Sequence, residues 1–135
     1  MFPLQGCYTA RMNHDLDKLA ERQRLFAAER DWDQYHSPKN LSMALAVEAA
    51  ELLEHFQWLT EQQSRELPDD KRRAVEEEVA DILLYLVRLS DQLGIDIYDA
   101  AMRKIDQNAA KYPAEKVRGS ARKYTEYADE DSTSS

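Results

Sequence analysis

Leu41-Ser-Met-Ala-Leu-Ala-Val-Glu48-Ala-Ala-Glu51-Leu-Leu-Glu-His-Phe-Gln-Trp58-Leu59 is the stretch that decides the fold. Leu41, Leu45, Glu48, Leu52, Phe56 and Leu59 recur at the 3.6-residue period of an α-helix. One member of that apolar stripe is a carboxylate. Residues 72–93 repeat the arrangement, with Val75, Glu78, Ile82, Tyr85 and Leu89 on one stripe. Glu51 and Asp81 follow Glu48 and Glu78 by three residues, so each pair shares a helix face.

A carboxylate in an apolar seam costs several kcal/mol unless something compensates it. Four facing one another also repel, by about 4 kcal/mol per close pair at an effective dielectric of about 20. Divalent cations relieve both terms. Glu48, Glu51, Glu78 and Asp81 therefore read as oxygen ligands for Mg²⁺, with Mn²⁺ as a substitute. Ala44, Ala49, Ala50 and Ala80 let the helix backbones approach, so that short acidic arms can share ions. A di-iron bundle needs Glu-x-x-His pairs, and His14, His36 and His55 stand in none. Zinc prefers His or Cys ligands, and none are spaced for it.

Composition narrows the class further. The 135 residues fit one domain, and only three glycines and four prolines favour long helices. The net charge of −8 argues against binding nucleic-acid polymers. The single cysteine, Cys7, excludes an intramolecular disulfide and fits a reducing, cytoplasmic location. No apolar run approaches a membrane span.

The pattern predicts an all-α protein, a bundle of four main helices. The first runs from an Asn13 cap to about Arg30. The second starts with Pro38 at its first position and runs to about Thr60. The third is capped by Asp69 or Asp70 and ends at Gly94. The fourth follows Asp96 to about Tyr112, stopped by Pro113. Residues 1–12 read as a flexible leader, 13–127 as the domain, and 128–135 as a disordered acidic and serine-rich tail.

These residues resemble a known family. The residues carrying the resemblance begin with Phe26-Ala-Ala-Glu-Arg-Asp-Trp32, His36, Pro38-x-Asn40-Leu41 and Phe56-Gln-Trp58. They continue with Glu77-Glu-Val-Ala-Asp-Ile-Leu-Leu-Tyr85-Leu, Lys104, Asn108, Lys111-Tyr112-Pro113 and Arg122-Lys-Tyr-Thr-Glu126. Together they are similar to the MazG-like nucleoside triphosphate pyrophosphohydrolases, and most to the dCTP pyrophosphatase branch. The two tryptophans and the Lys-Tyr-Pro segment narrow the match to that branch. One departure is Gln23, where vertebrate members carry a histidine near the base.

The resemblance implies Mg²⁺-dependent cleavage between the α- and β-phosphates of a nucleoside triphosphate such as dCTP or a modified dCTP. The products are a monophosphate and pyrophosphate, and the role is removal of surplus or modified nucleotides. It also implies a homodimer or a homotetramer made of two dimers, with sites built partly across subunits. Glu48, Glu51, Glu78 and Asp81 become metal ligands and catalytic groups, with Glu51 acting on the attacking water. Lys104, Asn108 and Lys111 share one face of the fourth helix, and with Tyr112 they bind phosphates. Read without the resemblance, that stripe is a solvated face. Trp32, His36, Trp58 and Tyr85 are the base- and sugar-binding candidates, although a tryptophan in a helical protein more often joins the core, and Tyr85 fits the sugar and the core about equally. The alternative is a nucleotide-binding or regulatory helical module of the same fold with little turnover.

Overall fold

A computed structural model describes residues 4–123 and 125–126, the backbone alone for 4–13. The expected tail, 128–135, lies outside the described residues. The described residues are helices and connections, with no strand among them. The chain divides into two compact units, Met1–Ile97 and Tyr98–Ser135.

In the first unit, helix α1 (Leu4–Glu29) begins upstream of the expected Asn13 cap, within the stretch read as a leader. Extending an existing helix avoids the cost of nucleation, and no proline interrupts residues 4–29. The helix ends in a left-handed residue, Asp31, at φ 54°. The N–H of Asp31 donates to the Ala28 carbonyl at 3.2 Å, and that of Trp32 reaches back to Ala27 at 2.9 Å. This pair of bonds is the Schellman ending, here built on Asp in place of Gly.

Helix α2 (Pro38–Glu54) starts as expected, with Pro38 in its first turn and the Ser37 side chain accepting from the Asn40 N–H. It stops short of Thr60. Thr60 is the cap of another helix, α3 (Glu61–Arg65), and holds an extended backbone that α2 cannot run through. Thr60 and Gln63 form a reciprocal capping box, so the polar segment before Pro68 contains a helical turn.

Helix α4 (Asp69–Leu93) has Pro68 at its cap position, without a side-chain cap bond. Asp69 and Asp70 instead lie in its first turn, where negative charge complements the helix dipole. Gly94 ends α4 in the left-handed region at φ 65°, as expected. Helix α4 packs along both α2 and α1. Among the described residues the buried positions are Ala20 and Ala27 of α1, Leu41 of α2, and Val87 and Arg88 of α4. The stripes read from sequence are the inward ones: Leu45, Glu48, Leu52, Phe56, Val75, Glu78, Ile82, Tyr85 and Leu89 are all at least partly buried.

Helix α5 (Ile97–Lys111) begins directly after Asp96, and α6 (Ala114–Val117) is a single turn beyond Pro113 that the sequence pattern did not suggest. From Tyr98 onward both belong to the second unit. No helix among the described residues is long and apolar enough to cross a membrane.

Candidate active site

The alignment of α2 with α4 brings together three of the four predicted carboxylates. One oxygen from each of Glu48, Glu78 and Asp81 lies within 4.8 Å of the others. Glu48 and Glu78 are half-buried, and Asp81 is exposed. Glu51 is exposed and falls outside this tight group, but its side chain interacts with that of Glu48. Desolvation, then the neighbouring Glu51, Asp81 and Glu78 charges, push the Glu48 carboxyl above the ordinary carboxylate range. Three acidic groups at this spacing, with Glu51 beside Glu48, suit a hard divalent cation. His55, at the end of α2, places Nε2 3.7 Å from Glu78 Oε1.

Asp81 also belongs to a second feature. It lines a cavity of about 480 Å³ together with Gln23, Phe26, Trp32, His36, Leu41, Tyr85 and Arg88, among others. That volume lies in the range of small-molecule sites. Trp32 meets Phe26 edge to face, centroids 5.6 Å apart, and His36 at 6.4 Å. The helix ending at Asp31 sets this geometry, because its bond to Ala27 folds Trp32 back against α1. The connector is tied down further. The Gln34 amide donates to the Asp31 carbonyl at 3.0 Å, and Asn40 donates to the Tyr35 carbonyl at 3.0 Å. Tyr85 joins cavity to carboxylates: burial, then the Glu48 and Asp81 charges, raise its phenol above the usual value, so it stays a neutral donor.

The sequence pattern matches the MazG-like family over residues 43–127. The chain belongs to the MazG-like family. Its relatives include the dCTP pyrophosphatase 1 proteins of Mus musculus and Homo sapiens, 47% and 46% identical over 103 residues. Those matches cover 75% of this chain and 61% of each relative's length. A solved pyrophosphatase from Archaeoglobus fulgidus DSM 4304 superposes with a TM-score of 0.66 at 41% identity, over 76% of this chain and 93% of that one.

Among the other predicted residues of this MazG-like chain, Trp32, His36 and Tyr85 line the cavity. Trp58 does not. It sits in the turns after α2 and is 86% exposed. Lys104, Asn108 and Lys111 are exposed on α5 and Tyr112 follows it half-buried, all in the second unit. Sequence reasoning passed over Arg88, which is only 3% exposed and lines the cavity. An arginine inside the apolar run from Ile82 to Leu89 was the available signal. It also assigned no contact to Gln23, whose amide donates to the Leu84 carbonyl at 2.8 Å while its oxygen is buried with no partner among the described residues.

Proposed function

We propose that this MazG-like chain is a divalent-metal-dependent nucleotide pyrophosphohydrolase, acting on dCTP or a modified dCTP to give the monophosphate and pyrophosphate. The observation that supports it most is the place of Asp81. It belongs both to the carboxylate cluster and to the wall of an aromatic cavity, where a triphosphate at the cluster leaves its nucleoside. The names of the relatives point to the same chemistry.

Glu48, Glu78 and Asp81 are the residues to hold Mg²⁺, with Glu51 beside them. When bound, the ion polarises phosphate oxygens and lowers the pKa of a coordinated water. Glu51, least committed to the tight group, takes the proton from the attacking water. The water oxygen bonds to phosphorus at the α–β bridge as the bridging bond breaks. Lys104, Asn108, Lys111 and Tyr112, on the second unit, are the phosphate-binding candidates that the resemblance names. Trp32, His36 and Tyr85 hold the base and sugar. A cytoplasmic housekeeping role and a homodimer or homotetramer complete the proposal. In such an assembly Trp58, unused by its own cavity, serves a neighbouring copy.

The test is product analysis. Purified protein is incubated with Mg²⁺ and each common dNTP and NTP, plus 5-methyl-dCTP, and products are resolved by ion exchange. Monophosphate with pyrophosphate, strongest for dCTP and lost in Glu51→Ala, is the expected result. Diphosphate with orthophosphate overturns the bond assignment. Nucleotide-induced thermal stabilisation without turnover moves the chain to a binding module.

A further inference from the structure

Arg88 is the most deeply buried charge among the described residues. It rises from α4 into the wall of the cavity, and its guanidinium is divided among three partners. One terminal nitrogen pairs with Asp33 in the connector after α1. The other approaches Asp91 at 3.5 Å, a carboxylate that Arg24 of α1 already holds through bonds of 2.7 and 2.8 Å. The third contact is the informative one. Arg88 Nε donates to His36 Nδ1 at 3.1 Å.

Arginine has no acceptor and does not lose its proton in proteins. Nδ1 of His36 must therefore carry a lone pair, and a neutral imidazole so arranged carries its hydrogen on Nε2. The charged groups against the ring agree. Burial, then Arg88, lowers the His36 pKa, while Asp33 opposes more weakly. The Nε2–H has no partner among the described residues, and His36 lines the cavity beside Trp32.

We propose that Arg88 is a positioning residue that locks His36 as its Nε2–H tautomer, presenting one fixed hydrogen-bond donor to an acceptor atom on the base or sugar of the bound nucleotide. This rests on reading the cavity as the nucleoside site. Without Arg88 the ring can flip or exchange tautomers, and the same edge then offers an acceptor part of the time. A purely structural arginine, tying the connector to α4 through Asp33, would leave the ring's protonation unfixed.

The two roles separate experimentally. Long-range proton–nitrogen spectra of histidine-labelled protein report which ring nitrogen bears hydrogen, with the His36 signal assigned by its loss in His36→Ala. At neutral pH the wild-type ring is expected as the neutral Nε2–H form. Arg88→Lys keeps a cation near Asp33 but loses the fork geometry. It is expected to give mixed tautomers and to raise KM for dCTP about tenfold, the worth of one such bond, with kcat unchanged. Arg88→Gln serves as a second variant should the lysine chain fail to fold. In the His36→Ala background the Arg88 substitution is expected to have no further effect on KM, because it acts through the ring. An Nδ1–H or doubly protonated wild-type ring overturns the proposal, as do additive effects in the double variant. If no nucleotide is turned over or bound by the wild type, the functional reading fails and the ligand side of the proposal with it. The nitrogen spectra decide the tautomer independently.

Discussion

Glu48 carries an electrostatic cost that the proposed metal would relieve. Its carboxyl is raised by burial and by three neighbouring acids, so the folded chain holds a proton there more firmly than the unfolded chain does. Stability of the metal-free protein must then fall as pH rises from the unfolded carboxylate pKa through the folded one. Glu48→Gln removes that charge. In EDTA at pH 7 the variant is expected to melt above the wild type, and the gap is expected to close as pH is lowered through the carboxylate range. With Mg²⁺ the order reverses, because only the wild type gains the full binding stabilisation. Activity is expected to drop by at least the ~10–100-fold that even outer partners of metal ligands are worth. Thermal melts with and without Mg²⁺ check this, and a variant that melts lower in EDTA sinks it. At this scale the sequence was informative for the acids, because a carboxylate in an apolar stripe conflicts with its surroundings. Arg88 was equally anomalous, but its partners Asp33 and His36 come from a connector more than fifty residues away, and spacing along one helix does not show them.

Helices were legible where apolar periodicity sets them, and their ends were legible where a single residue type dictates the backbone. Pro38 and Gly94 behave as their chemistry requires. The misplaced ends are those decided by competition. Thr60 could extend α2 or cap α3, and the capping box with Gln63 settles it. Asn13 could cap α1 or lie within it, and continued helix wins. The end of α1 falls where the sequence places it, and it bears on the cavity, since Asp31 adopts φ 54° and Trp32 lines the cavity wall. Left-handed backbone costs an ordinary L-residue about 1–2 kcal/mol, least for Asn and Asp and most for β-branched side chains. Asp31→Val is expected to destabilise the protein by about that amount and to weaken nucleotide binding, while Asp31→Gly folds at least as well. Urea melts together with Trp fluorescence quenching by dCTP measure both effects. Equal stability of the valine and glycine variants would show that the ending is not under this constraint.

At the scale of the molecule, the helices that carry the acids expose apolar side chains. Met43 and Val47 on α2 are 52% and 54% exposed, and Val79 and Leu83 on α4 are 52% and 39% exposed. Each pair is spaced i, i+4, so each forms a stripe on a helix whose opposite side already packs inward. The four acids of the candidate site and Tyr85 stand on these same helices. An assembly that covers the stripes therefore also fixes the spacing of α2 and α4 on which the carboxylate cluster depends. The proposed homo-oligomer makes a quantitative expectation here. Burying a leucine fully is worth about 1.5–3 kcal/mol, and placing a charge in its stead costs more. Light scattering on the wild type is expected to give a multiple of the 15.7 kDa chain mass. Leu83→Asp is expected to shift it toward the single-chain mass, lower Tm and weaken Mg²⁺-linked stabilisation, although Leu83 is none of the proposed ligands. A wild type that runs at the single-chain mass at micromolar concentration would mean that the stripes serve some other contact. A Leu83→Asp variant that dissociates yet keeps its full Mg²⁺ response would show that one copy suffices to hold the two helices in register.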